Sequence, residues 1–199
     1  MIDLLGFCVF SAISAFVYWR LISTRWRSLF LFICSLFFIA LFSIPYAFYF
    51  LFNIVVVYVV AFFISREHKR KELFFKCIFI WLIVNLCFFK YANLVIDAIF
   101  KTSFRLTSFP QIKLAKVLLP LGLSYIIFRL IHYIVEVYRD NTPRGSFVDF
   151  ALYVLFFPTF LAGPVERFPA FQFQTIGKND FDISDTNYGL YRIIRGIIK

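Results

Sequence analysis

The sequence has few of the groups with which a soluble enzyme works. Its 199 residues include 2 histidines and 11 acidic side chains, against 21 lysines and arginines. It contains no phosphate loop, dinucleotide fingerprint or serine-elbow motif. Cys8, Cys34, Cys77 and Cys87 stand apart inside apolar runs, whereas zinc sites and redox motifs need closely spaced pairs. We therefore predict no metal site and no bound cofactor, and we expect the cysteines to pack as small apolar side chains.

Polar sequence is also scarce, because 62% of the residues are hydrophobic and 23% are aromatic. A soluble domain has roughly 45–50% apolar residues and could not bury this much apolar surface in one core. The mean hydropathy of +0.83 indicates that the solvent is largely lipid. The net charge of +10 raises nucleic acid as a partner. However, the basic residues lie in short segments between apolar runs, which predicts contact with membrane lipid and no nucleic-acid binding.

The apolar runs predict an all-α polytopic membrane protein with about six transmembrane or re-entrant helices. The apolar stretch 29–64 is too long for one span of about 20 residues, and we divide it at Ser43-Ile44-Pro45, where proline removes a backbone donor. Pro158 is expected to kink the last span. The short piece 94–100 is expected to be interfacial or re-entrant. The predicted spans are residues 4–21, 29–42, 46–64, 73–89, 117–137 and 147–162, followed by an amphipathic helix at 188–199.

The N-terminal run is expected to be an uncleaved first span, since Asp3 and no basic residue precedes it, unlike a signal peptide. If every span crosses, the basic segments 20–27, 66–76 and 139–144 fall on one side, which the positive-inside rule predicts to be cytoplasmic. We therefore expect a cell inner membrane protein with its N-terminus periplasmic or extracellular. The basic segment 90–116 falls on the opposite side and conflicts with this rule, so its sidedness stays open.

One predicted span carries a polar stripe. Tyr125, Arg129, His132 and Glu136 follow one another at spacings of four, three and four, which places them on one helical face. Ionisable groups at membrane depth are costly and face a protein interior or a water-filled cavity. His132 could then be a general base oriented by Glu136, or the four residues could form a polar seam between helices. Spacing alone leaves both interpretations open.

A helix break is predicted at Ala162-Gly163-Pro164, because Pro164 lacks a backbone donor and Gly163 tolerates unusual backbone angles. Arg167 follows close to membrane depth, where irregular backbone is tolerated only if it is buried or lines a cavity. The residues predicted to line a tunnel are Tyr125, Arg129, His132, Glu136, Gly163, Pro164 and Arg167.

Three ordered motifs resemble the N-terminal half of membrane-bound O-acyltransferases (MBOATs), in particular bacterial alginate O-acetylases and D-alanyl-lipoteichoic acid transferases. They are FKYAN at 89–93 with Asp97, LPLGLSYIIFRLIHYIVEVYRDNTP at 119–143, and LFFPTFLAGPVERF at 155–168. The closing segment 189–199 also resembles the helix that follows in that family. The resemblance implies a larger ring of helices around a funnel, of which residues 1–199 would form the N-terminal portion.

The resemblance also implies the activity. In the family a histidine activates an acceptor hydroxyl, which attacks an acyl group on a thioester, either acyl-CoA or an acyl-carrier protein, delivered from the cytoplasm. The acyl group is expected to be acetyl. The acceptor is expected to be an exported polysaccharide or cell-envelope polymer, reached directly or through an accessory acetyltransferase.

The family's catalytic histidine, in its Trp-His-Gly setting, has no counterpart in residues 1–199. The resemblance implies that it lies beyond Lys199, so no catalytic residue is assigned. The final helix reaches Lys199 in mid-pattern, and we expect the sequence to be the first part of a longer protein, inactive without the C-terminal catalytic half. The alternative function is a non-catalytic transporter or channel component, in which Arg129, His132 and Glu136 would line a substrate or proton path.

Overall fold

The computed structural model describes residues 4–66, 70–104, 120, 122–140, 145–160, 163, 166–177 and 183–198. Over these residues the chain is almost wholly helical and has no β-strand, which confirms the predicted all-α class. Short 3₁₀ turns occupy Thr24–Trp26 and Phe157–Thr159. The helices are α1 (Leu4–Arg20), α2 (Arg27–Phe42), α3 (Ile44–Arg66), α4 (Lys71–Phe104), α5 (Leu123–Tyr138), α6 (Phe147–Leu155), α7 (Phe168–Gly177) and α8 (Ile183–Ile198).

Among the residues that the structure describes, three stretches are long and apolar enough to cross a membrane, namely Thr24–Phe42, Ile44–Arg66 and Lys71–Ala92. Their outer faces carry large exposed apolar side chains such as Phe48 and Ile80. Contiguous apolar surface of this kind suits lipid or further helices better than water. The chain is therefore a membrane protein, while the predicted number of six spans stays a prediction.

The predicted division of the stretch 29–64 is confirmed in position. α2 ends at Phe42, Ser43 is extended with ψ of 116°, and α3 begins at Ile44. Pro45 lies in the first turn of α3, where backbone N–H groups have no partner within the helix and a missing one costs nothing. The second helix therefore begins at Ile44, two residues before the predicted start at Tyr46, and the proline lies in its first turn.

α4 corrects the prediction for the region after residue 89. It runs unbroken for 34 residues, from Lys71 to Phe104, through the piece 94–100 that was expected to be separate. No glycine or proline interrupts this sequence, and its charged and amide side chains are tolerated inside a helix. A helix of this length spans about 50 Å, more than the ~30 Å hydrocarbon core, so α4 extends past the apolar layer.

A closed ring of hydrogen bonds joins α3 to α4. The Tyr49 hydroxyl donates to Asn85 Oδ1 at 2.9 Å, and Asn85 Nδ2 donates to the Trp81 carbonyl at 2.8 Å. Trp81 Nε1 donates to Asn53 Oδ1 at 3.3 Å, and Asn53 Nδ2 returns to the Tyr49 carbonyl at 2.9 Å. Both amides therefore use their oxygen and their nitrogen, which is how polar side chains join helices in lipid.

The three predicted basic connections meet at one end of the bundle. Lys71 Nζ lies 2.5 Å from Asp140 Oδ2, which joins the second connection to the third. The Thr24–Trp26 turn of the first connection shares a cleft with Ser146 at the start of α6. We call this the basic end. That these segments share one end was predicted, and that this end is cytoplasmic stays a prediction.

The chain from Phe147 onward does not form the crossing span predicted at 147–162. α6 has 9 residues and ends at Leu155, and the 3₁₀ turn at Phe157–Thr159 contains Pro158. Together they descend roughly 20 Å, which is short of the ~30 Å core. α6 nevertheless lies deep in the protein, because every side chain from Phe150 to Leu155 is fully buried.

The chain then returns toward the basic end. Phe160 reaches Gly122 at the far end of α5, where a Cβ on the glycine would lie 3.0 Å from the Phe160 carbonyl oxygen. Phe168, at the start of α7, is back beside the beginning of α6, and a Cβ on Gly145 would lie 2.7 Å from its ring. We call residues 145–168 the re-entrant segment. The sequence predicted a crossing span kinked at Pro158 for this stretch, and the positions of Phe160 and Phe168 correct that prediction.

α8 corresponds to the predicted amphipathic helix 188–199, with different bounds. It begins earlier, at Ile183, because nothing in the residues before the apolar pattern stops a helix. It ends at Ile198, and Lys199, the last residue of the predicted helix, lies outside the described residues. The exposed aromatic and apolar side chains along α8 include Tyr188, Tyr191 and Ile194.

Candidate functional site

The site is built where the tip of the re-entrant segment meets α5. α5 begins at Leu123, later than the predicted start at residue 117, and residues 117–119 lie outside the described part of the chain. Gly122 precedes the helix with φ of 75°, a left-handed conformation that glycine adopts without strain. Its missing Cβ also leaves room for the Phe160 carbonyl. Gly122 therefore allows two backbones to touch at this point.

Arg129 is the centre of the site, and it is 1% exposed. Its guanidinium carbon lies 4.5 Å from the Tyr125 ring centre and 5.0 Å from that of Tyr153. Nη1 donates to the Tyr153 carbonyl, and Nη2 donates to Thr159 Oγ1 at 2.9 Å. Aromatic faces attract a desolvated guanidinium by about 2 kcal/mol. Arg129 thus ties α5 to the last turn of α6 and to the 3₁₀ turn.

The Tyr153 carbonyl is available to Arg129 because α6 ends there. In a continuing helix it would accept from the Phe157 N–H. That N–H instead donates to Ser35 Oγ on α2 at 3.2 Å, and Pro158 has no N–H for the next carbonyl. The break is therefore held from both sides by buried polar side chains. We call Ser35, Arg129, Tyr153 and Thr159 the Arg129 clamp.

Replacing Ser35 by alanine is expected to lower the free energy of unfolding by about 1–2 kcal/mol, because the buried Phe157 N–H would lose its acceptor. Reversible unfolding of the purified protein in mixed micelles measures this loss. Ser11→Ala is the matched control, since the Ser11 hydroxyl donates at 2.8 Å to Phe7 O within its own helix. Equal effects of the two changes would contradict the assigned role of Ser35.

The prediction that the polar stripe turns inward is confirmed for Arg129, whereas His132 and Glu136 are partly exposed, and whether they face a cavity stays a prediction. The side chains of His132 and Glu136 are 26% and 15% exposed. His132 Nε2 is 3.8 Å from Glu136 Oε1, which is too far for a hydrogen bond. The two side chains are thus within ion-pair distance if His132 is protonated, but Glu136 accepts no hydrogen bond from His132. The polar-seam interpretation describes Arg129, and the role of His132 stays a prediction.

The remaining predicted lining residues lie near the return of the chain. Gly163 packs against Thr159, and a Cβ on the glycine would lie 2.5 Å from Thr159 Cβ. The Tyr153 hydroxyl donates to the Glu166 carbonyl at 2.9 Å, which fixes the chain just before Arg167. Arg167 itself is exposed. Pro164 lies outside the described residues.

Sequence reasoning missed three members of the clamp, Ser35, Tyr153 and Thr159. Ser35 carried a signal, because a hydroxyl inside an apolar span needs a partner in lipid. It donates back to Leu31 O at 2.8 Å and still accepts from another segment. Tyr153 acts mainly through its backbone carbonyl, which no sequence pattern marks.

The Arg129 clamp fixes the position of the 3₁₀ turn after α6 and offers no side chain that is free to react. Its cation is fully buried, and its hydroxyls are held by hydrogen bonds. Within the described ranges, no cluster of three or more His, Cys, Asp or Glu residues could hold a metal ion. The arrangement holds an irregular turn through hydrogen bonds from α2 and α5, and the partly buried His132 and Glu136 follow Arg129 on α5. The location of the reacting histidine beyond Lys199 stays a prediction.

The chain is similar to several bacterial envelope acyltransferases. It is 33% identical over 179 residues to the protein of Pseudomonas syringae pv. tomato named Probable alginate O-acetylase AlgI, which covers 88% of this chain and 34% of that protein. It is 27% identical over 205 residues to a Peptidoglycan O-acetyltransferase of Helicobacter pylori, covering 86% of this chain and 37% of that protein. A Teichoic acid D-alanyltransferase of Streptococcus thermophilus is 36% identical over 62 residues, which is 30% of this chain and 15% of that protein.

No protein-family model and no solved structure matches the chain. The relatives nevertheless agree with the resemblance carried by the three sequence motifs, since they include both an alginate O-acetylase and a D-alanyltransferase. The chain is therefore MBOAT-like, a relative of the alginate O-acetylases that spans about a third of their length.

Proposed function

We propose that this chain forms part of the membrane domain of an O-acyltransferase. In this proposal the enzyme transfers an acyl group, expected to be acetyl, from a thioester to a hydroxyl of an exported polysaccharide or cell-envelope polymer. The observation that carries the proposal is the 33% identity to a probable alginate O-acetylase over 88% of the chain. The re-entrant segment supports it, because irregular backbone inside a membrane is tolerated where it is buried or borders a passage.

The described residues would build one wall of that passage. Tyr125, Arg129 and Gly163 hold the re-entrant turn in place, and His132 and Arg167 are proposed to face the passage itself. Because the chain spans about a third of its relatives, we propose that the reacting histidine lies outside residues 1–199. The chain would then supply position, while the remainder of the enzyme supplies the base.

The basic end is proposed to face the cytoplasm across the inner membrane, as positive flanking charge favours. Acyl-CoA and acyl-carrier proteins are anionic, so electrostatic attraction would bring either donor toward this end. The acceptor would meet the acyl group from the opposite side, directly or through an accessory acetyltransferase.

The function is tested with the protein as expressed from its gene, in isolated membranes supplied with acetyl-CoA labelled in the acetyl group. We expect label to appear on an exported polymer in ester linkage, which mild alkali releases. Membranes from a strain lacking the gene should transfer none. Ester content of the exported polymer in living cells of both strains provides the second measurement.

The transporter alternative predicts different results. Proteoliposomes would then show proton flux that His132→Ala abolishes, and no acetyl ester would depend on the gene. That outcome would replace the proposed function. A His132→Ala variant that retains the acetyl transfer of the unchanged protein would instead show that His132 is not the reacting base.

A further inference from the structure

A cleft at the basic end is independent of the Arg129 clamp. Its volume is about 530 Å³, within the range of small-ligand sites. It lies between the 3₁₀ turn that leads into α2, the first turn of α6 and the end of α7. The described residues that line it are Thr24, Arg25, Trp26, Ser28, Leu29, Ser146, Val148, Asp149 and Thr175.

The predicted topology puts the cleft at the depth of lipid headgroups. It sits where two apolar helices begin, and Leu29 and Val148 are the aliphatic residues of its described lining. Trp26 is 55% exposed beside it, and tryptophan favours the boundary between headgroups and hydrocarbon. A ligand of this cleft would therefore have a polar head beside hydroxyl groups and an apolar part directed toward the bilayer.

The charges in the cleft are of both signs. Of the described lining residues, Arg25 and Asp149 are the charged ones, and no ion pair joins them in the described part of the chain. Asp149 Oδ2 accepts from the Ser146 hydroxyl at 2.6 Å, which fixes the carboxylate and leaves its second oxygen for another donor. A purely anionic headgroup would be attracted by Arg25 and repelled by Asp149.

We propose that this cleft binds the headgroup of phosphatidylethanolamine, a lipid that carries one phosphodiester and one primary ammonium. Arg25 would contact the phosphodiester, and Asp149 would accept hydrogen bonds from the ammonium. Such binding would anchor the start of α2 to the start of α6. A trimethylammonium headgroup has the same charges but no N–H to donate, so phosphatidylcholine would bind more weakly.

Native mass spectrometry of the purified protein with added phosphatidylethanolamine, phosphatidylglycerol or phosphatidylcholine tests the proposal. We expect phosphatidylethanolamine to bind roughly tenfold more tightly than either other lipid, the effect of about one charge-assisted hydrogen bond. Asp149→Asn, which keeps the acceptor for Ser146, should remove this preference over phosphatidylglycerol. Arg25→Gln should weaken the binding of phosphatidylethanolamine and of phosphatidylglycerol. Arg66→Gln, at the same end but outside the cleft, should change the binding of neither lipid.

Equal binding of phosphatidylglycerol and phosphatidylethanolamine to the unchanged protein would overturn the proposal. So would a preference that survives Asp149→Asn in protein whose helical circular dichroism is unchanged. Soluble glycerophosphoethanolamine distinguishes a lipid from a free phosphodiester, because equal affinity for the soluble compound would show that the site does not take a membrane lipid.

Discussion

Arg129→Met is expected to lower the free energy of unfolding by about 3 kcal/mol or more. The change removes two charge-assisted hydrogen bonds and leaves the buried Tyr153 carbonyl without its donor. It also removes the contacts of the guanidinium with the rings of Tyr125 and Tyr153. Reversible unfolding in mixed micelles, followed by tryptophan fluorescence, measures the effect.

The matched control is Arg139→Met, which makes the same change at an exposed arginine just after α5 and should alter stability by less than about 0.5 kcal/mol. Arg129→Lys keeps the charge without the planar fork that reaches two acceptors, so it should recover only part of the loss. If Arg129→Met is as stable as Arg139→Met, Arg129 does not hold the re-entrant segment.

Gly163→Ala is expected to cost about 2 kcal/mol, because the new Cβ would lie 2.5 Å from Thr159 Cβ and 3.0 Å from Thr159 Cα. Relief requires Thr159 to move, and Thr159 Oγ1 is the acceptor for Arg129 Nη2. The substitution should therefore weaken the Arg129 clamp as well as crowd the return of the chain. The same unfolding measurement applies, with limited proteolysis as a second readout.

The control for this change is Gly189→Ala on α8, where an added Cβ would meet no atom within 4 Å. Alanine favours a helix interior over glycine, so this variant should be neutral or slightly stabilised. The coupling is tested in the double variant. If Gly163→Ala acts through the clamp, it should cost less in the Arg129→Met protein than in the unchanged one. Strictly additive costs would contradict that connection.

Local sequence features predicted the parts of the structure that have local causes. Ser43-Ile44-Pro45 marked the junction of α2 and α3, because a proline favours the first turn of a helix. The spacing of Tyr125 and Arg129 placed them on one face, and the cost of a charge in lipid placed Arg129 inside the bundle. Gly163 was recognised from the break that follows it, although its contact with Thr159 was not.

The end of α6 has a distant cause, and for that reason the sequence predicted a crossing span instead. Residues 147–162 are mostly apolar, Asp149 lies in the first turn, and Pro158 predicted a kink but not where the helix stops. The end of the helix depends on Ser35, which lies 122 residues before Phe157 and accepts a hydrogen bond from the Phe157 N–H. The sequence analysis ended α4 too early because charged and amide residues follow its apolar part. These residues are compatible with a helix, and α4 continues through them to Phe104.

The ring formed by Tyr49, Asn53, Trp81 and Asn85 has a consequence for biogenesis. All four residues lie on α3 and α4, so the hairpin satisfies these side chains without waiting for α5 or α6. A nascent hairpin of this kind can leave the translocon as a finished pair, because it exposes fewer unpaired amides to the bilayer. Arg129, synthesised later, must instead await the arrival of Tyr153 and Thr159, so its docking follows the formation of the hairpin.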